Sequence, residues 1–291
     1  MKNILQINYW TIGGFEGGKP AEQALEEAKG MGYEGVELCF GAGEFAPGIS
    51  FDRLKQIRKR ADDLGMKIET LASGTYWDAN FTSPDPAVRA RAREFTGDYL
   101  RAAAQLGAKT VLVIPGAVAV PWDPSKPVVS YASAWKRATE GIRKCLRDAE
   151  KFRVNIAIEN VWNWFLADPV AMKVFVDQFK SARVGVYMDV ANCLINGFPE
   201  HWIEILGHRI KAVHFKNFSR QDSGGTLHGF GDDVLGGDLN WAGVLAALEK
   251  IGYRGPITAE MIPFSRLPNL VLPDMGLARD AAEKLRRILG K

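Results

Sequence analysis

NIAIE (155–159), VGVYMD (184–189), IKAVH (210–214) and PITAE (256–260) are four short apolar runs, each ending on a side chain that can bind a metal: Glu159, Asp189, His214 and Glu260. Each has the length of a buried strand, and turn residues and a helix-like segment follow it. The polar residue therefore stands at a carboxyl end every time. In a parallel (β/α)8 barrel the carboxyl ends of all strands open on one face, where active sites lie. A lone carboxylate at a strand end commonly caps a helix or joins a salt bridge. Four successive strand ends with ligand-type residues argue instead for an oxygen-rich site for a divalent cation.

Outward from this stretch, apolar runs and helical patterns alternate along the whole chain, and eight βα units can be counted. The first four strands are expected at 4–8, up to about Glu37, in KIETLAS (67–73) and in TVLVIPG (110–116). Helices are expected after Pro20, over 51–65, 87–106 and 131–152, from the Asp168–Pro169 pair, around HWIEILG (201–207), and over 241–252 and 277–289. Asp followed by Pro is a good cap and first-turn pair. Long loops follow strands three, four and seven, the longest lying between His214 and Trp241, and segments of this length are usually functional or disordered. Nothing in the sequence divides it, so residues 1–291 read as one α/β barrel domain.

Composition excludes several classes. Of 291 residues 47% are hydrophobic and 24% charged, ordinary for a globular protein. A net charge of +3, from 37 basic and 34 acidic residues, is no footprint for nucleic acid. Local basic clusters, Arg53 to Arg60 and Arg89, Arg91 and Arg93, have helical spacing and read as solvated outer faces. Cys39, Cys145 and Cys193 form no CxxC pair and no disulfide framework, and no long apolar run marks a membrane span. A cytoplasmic protein with no membrane partner is the expectation, and a homo-oligomer is compatible with it.

Asp, Glu and His without paired thiolates favour Mn²⁺, with Mg²⁺, Co²⁺ or Zn²⁺ as alternatives. Such an ion can hold two oxygens of a hydroxyketone and spread the charge of an enediolate. Glu159 and Glu260, from strands five and eight, could face opposite sides of one substrate carbon, the layout an epimerase needs. Trp162 and Trp164, just past Glu159, are expected to wall the pocket, whereas Trp135, Trp202 and Trp241 read as packing. Glu37 could orient a ligand or substrate, with a salt bridge equally plausible. Lys216, Arg220 and His228 follow strand seven, where cations could hold a phosphate.

IEN (158), MDVAN (188), AVHFKN (212) and GDLNWAGVLAALEKIGYRGPITAE (237) resemble the motifs of the xylose-isomerase-like barrel superfamily, in particular its sugar and sugar-phosphate isomerases and epimerases. The resemblance runs nearly the whole chain, and its specific part is the second half. It implies a TIM barrel with one divalent ion bound by Glu159, Asp189, His214 and Glu260, and Glu159 and Glu260 as the acid and base pair. In ketose 3-epimerases of this group a histidine commonly lies three residues after the strand-six aspartate; here that place is Asn192, which can still bond a sugar hydroxyl. NVWNWF (160–165) lacks the Arg and Glu usual in tagatose- and psicose-type epimerases. The expected activity is a metal-dependent isomerisation or 3-epimerisation of a ketose or ketose phosphate through a metal-bound enediolate. An inosose dehydratase or isomerase, or a non-catalytic sugar-binding protein, is the alternative.

Overall fold

Eight parallel strands close on themselves in chain order, β1 pairing with both β2 and β8. The structure is a computed structural model that describes residues 2–291. The strands are β1 Leu5–Asn8, β2 Gly35–Cys39, β3 Thr70–Ala72, β4 Thr110–Val113, β5 Asn155–Glu159, β6 Val184–Asp189, β7 Ile210–Phe215 and β8 Ile257–Ala259. Around them lie α1 Tyr9–Gly13, α2 Ala21–Gly30, α3 Phe51–Leu64, α4 Pro86–Leu106, α5 Tyr131–Phe152, α6 Pro169–Asp177, α7 Pro199–Leu206, α8 Arg220–Ser223, α9 Trp241–Lys250 and α10 Met275–Leu289. This is the (β/α)8 TIM barrel expected from the alternation of runs. Among the described residues no helix is long and apolar enough to cross a membrane.

Burial on both sides explains why the strands read as continuous apolar runs: one face meets the helices and the other fills the barrel. The inner face is not apolar throughout. The Gln6 amide donates to the hydroxyls of Thr70 (2.9 Å) and Thr258 (3.0 Å), a fully buried polar layer across the barrel. Asp168 caps α6 as its sequence implies, accepting from the amides of Val170 and Ala171.

Four elements depart from expectation. β2 runs on to Cys39, so Glu37 lies inside the strand rather than at its end. β3 is only three residues long. The short helices α1 and α8 have no apolar periodicity; side-chain caps start them, Asn8 accepting from Trp10 N and Ser219 from Asp222 N.

One irregularity positions a functional residue. Along the β6–β7 ladder Val186 pairs with Ile210 but Tyr187 pairs with Ala212, leaving Lys211 as an extra residue in β7. Gly185 leaves room for it: a Cβ there would stand 2.5 Å from the Arg209 carbonyl oxygen and 2.6 Å from Lys211 Cγ. Beyond this bulge Asp189 pairs with His214. Paired residues share a face of a sheet, so both point into the barrel.

Candidate active site

Glu159 ends β5, Asp189 ends β6, His214 is the penultimate residue of β7 and Glu260 follows β8. One ligand atom from each lies within 4.8 Å of all the others, and all four residues are buried. His214 Nδ1 is the hub, 3.5 Å from Glu260 Oε1, 3.6 Å from Glu159 Oε1 and 3.9 Å from Asp189 Oδ2.

The supports of these side chains lie deeper in the barrel. His214 Nε2 is 2.7 Å from Glu37 Oε1, which also accepts from the Asn8 amide at 2.7 Å. Glu37 Oε2 accepts from Thr70 at 2.6 Å and from the Tyr187 hydroxyl. Burial opposes a charge on Glu37, but the adjacent His214 outweighs it and holds the carboxyl below its ordinary pKa. A charged Glu37 puts the shared proton on Nε2 and turns the Nδ1 lone pair toward the three carboxylates. Asp189 is fixed from the other side. Its Oδ1 accepts from Ala191 N (2.9 Å) and Asn192 N (2.7 Å), and the Asn160 amide bonds both its backbone N and its backbone O.

Two atoms test whether a metal fits. Four buried side-chain nitrogen or oxygen atoms lack a hydrogen-bond partner among the described residues, and two of them, His214 Nδ1 and Asp189 Oδ2, are in this cluster. Buried polar atoms are rarely left so. Three carboxylates and an imidazole at this spacing suit one divalent ion, with the unpartnered atoms as ligands. Replacing Glu37 by Gln should therefore weaken metal binding about 10- to 100-fold, because the support of a ligating histidine is removed. Metal titration of the variant checks this, and an unchanged affinity would reduce Glu37 to packing.

Lys216 is the residue whose place the sequence concealed. The structure sets it inside the cluster rather than on a phosphate-facing surface, its Nζ 2.6 Å from Glu260 Oε2 and 2.9 Å from Asp189 Oδ2. The Asp189 contact lacks hydrogen-bond geometry, so it is an ion pair only. His214 and Lys216 are two apart, as are Tyr187 and Asp189, and this alternation was the available signal. Arg220 is also committed, donating to the carbonyls of Leu194 and Gly197 (both 2.8 Å) with its guanidinium over the Phe198 ring. His228 bonds Thr226.

Asn160 and Asn192 line a hollow of about 160 Å³ whose walls include Pro121, Trp162, Trp164, Leu166 and Ile195. The Asn192 amide nitrogen is taken by the Asn160 carbonyl at 3.0 Å. The two tryptophans differ. Trp162 is buried, donates to the Asn192 carbonyl at 2.9 Å and packs on Phe218 and Phe230. Trp164 is 56% exposed at the rim. Trp135, Trp202 and Trp241 pack against the core.

Comparison with known proteins agrees with this architecture. The chain is 26% identical over 290 residues to a D-psicose 3-epimerase of Ruminiclostridium cellulolyticum, covering 96% of this chain and 89% of that protein. A putative L-ribulose-5-phosphate 3-epimerase of Escherichia coli is 27% identical, covering 68% of each chain. Among solved structures, a D-psicose 3-epimerase with D-tagatose from Clostridium cellulolyticum superposes with a TM-score of 0.80 at 20% identity, covering 99% of this chain and 98% of that one. Residues 25–288 match the family model described as xylose isomerase-like TIM barrel, and the chain belongs to that family.

Proposed function

We propose that the protein is a metal-dependent 3-epimerase of unphosphorylated ketoses. The observation that carries this reading is the convergence of Glu159 and Glu260 on His214 Nδ1, a buried atom without a hydrogen-bond partner among the described residues. Glu159, Asp189, His214 and Glu260 would hold the ion. When bound it would polarise the substrate carbonyl and offset charge developing on oxygen.

The chain's own groups move the proton. Burial, opposed by the nearby His214 imidazole and reinforced by Glu260, pushes Glu159 up to about 7. A carboxyl poised there can take or give a proton near neutral pH. Glu260, on β8, serves the opposite side of the carbon next to the carbonyl. One glutamate removes the proton, giving an enediolate, and the other, protonated beforehand, donates a proton of its own to the opposite face. Trp162 and Trp164 would exclude water and stack on the sugar.

The neutral substrate follows from the cations around the mouth. Lys216 is bound by Asp189 and Glu260, Arg266 by Asp232 and Asp274, Lys126 by Asp78, and Arg220 by carbonyls. The acids beside Lys216, Arg266 and Lys126 would compete with a phosphate, and Arg220 is held through its Nε and Nη2. With Mn²⁺ in heavy water, free ketoses are expected to exchange the C3 proton and give both C3 epimers by NMR, faster than their phosphates. Exchange confined to phosphorylated sugars would overturn the substrate assignment, and none in any ketose would overturn the activity.

A further inference from the structure

The basic residues of α3 each find an acid: Arg53 pairs with Glu22 and Glu44, Arg58 with Asp62, Lys59 with Asp63 and Arg60 with Glu26. They form the solvated face that their spacing implies. The second basic cluster behaves differently. Arg89 and Arg93 on α4 meet Arg137 and Lys144 on α5 around a hollow of about 220 Å³, bounded also by Phe81, Pro86 and Gly141. Glu140 is the one acid on its wall, and it forms no ion pair with any of the four among the described residues.

The guanidinium groups are half-buried and held in place from behind. Arg89 Nη1 donates to the carbonyls of Ser83 (2.6 Å) and Pro84 (2.9 Å), Arg93 Nη1 to that of Arg89 (2.9 Å) and Arg137 Nη1 to that of Thr82 (3.1 Å). Each fork is thus oriented through one nitrogen, leaving its other donors to the hollow. α4 carries four arginines against two acids and α5 six basic residues against three, so these two helices concentrate a larger excess than the +3 of the whole chain. Like charges gathered in a concave, partly desolvated place repel one another unless a counter-ion joins them.

We propose that the cleft between α4 and α5 binds an oxyanion of the phosphate type, carrying two or more negative charges. Planar guanidinium forks match the oxygens of a phosphoryl group, and charge-assisted bonds of this kind are the strong ones. The site is separate from the metal-ligand cluster and independent of the proposed activity. Its arginines hold the carbonyls of residues 82–84 in the loop after β3, and Thr82 in turn bonds both N and O of Ala117 in the loop after β4. An anion bound here would brace two loops at the barrel's carboxyl-end face.

Calorimetric titration of the full chain with pyrophosphate and inorganic phosphate, at constant ionic strength in chloride, tests the proposal. Binding to one site, saturating below about 10 mM, is expected. Arg93→Gln with Arg137→Gln should weaken it about tenfold or more, as should Lys144→Gln to a smaller extent, while Arg147→Gln, exposed on α5 outside the hollow, should not. Lys144 is exposed, so Lys144→Gln keeps the test decisive if the double variant fails to fold. A nucleoside 5′-diphosphate run beside pyrophosphate separates a phosphoryl group on a larger molecule from the free ion; equal weakening of either by the variants supports the site. No saturable binding, or binding that none of the folded cleft variants weakens, would overturn it.

Discussion

Glu159→Gln and Glu260→Gln are each expected to lower turnover of a confirmed ketose by about 10²- to 10⁴-fold, the range that a positioned acid or base contributes. The amide keeps the size of the side chain and one oxygen ligand but cannot take a proton at neutral pH. The two variants should not fail alike. With one base left on each, one variant should exchange the C3 proton of one epimer in heavy water and the other that of its partner, while neither interconverts them. Following deuterium at C3 from each epimer separately reads this directly. Equal exchange from both epimers by either variant would mean that one base serves both faces. Wild-type turnover by both would assign the chemistry to other residues.

Asp189→Ala and His214→Ala should lose the ion altogether. Elemental analysis is expected to fall from about one divalent ion per chain to below about a tenth, since each change removes a ligand from a four-residue set. Retention of a full complement by both variants would rule out the cluster as the metal centre. Acidity should have the same effect reversibly. Burial opposes a charged His214, but attraction from Glu260 and Glu37, the nearby Glu159 carboxyl and the hydrogen bond to Glu37 outweigh it, holding the imidazole pKa well above the ordinary value. Glu159 titrates at about 7. Both must give up a proton to ligate, so metal affinity should rise with pH through neutrality, by about tenfold per unit for each proton released. Calorimetry in buffers of different ionisation heat counts the protons. Because the ion binds only the folded chain, it should also raise the melting temperature, more at pH 8 than at pH 6.

The barrel and the convergence of its four strand ends were legible in the sequence for one physical reason. A parallel sheet buries both faces, so its strands appear as short apolar runs, and a polar residue closing four such runs stands out against them. Glu37 was harder to read because it lies in the middle of GVELC, and the strand's true end at Cys39 carries no polar mark. Lys216 was harder to place because a cation after a strand resembles a surface residue. Only its two-residue offset from His214 places it indoors, and only the fold brings Asp189 and Glu260 around it. The α4–α5 cleft was hidden for a different reason. Arg93 and Arg137 lie on separate helices, and helical spacing describes each face without revealing what faces it.

The extra residue in β7 makes this site depend on strand register as well as on residue identity. Were the bulge flattened so that Lys211 paired with Tyr187, Asp189 would stand opposite Val213, and the alternation of the strand would swing His214 out toward the helices while every ligand remained in the sequence. Gly185 carries the complementary constraint, since any side chain there competes for the space that the added residue takes. The bulged Lys211 and Gly185, both outside the ligand cluster, therefore keep its residues in register. In relatives of this chain, a side chain at the position of Gly185 would be a stronger sign of an altered register than many substitutions in the pocket wall.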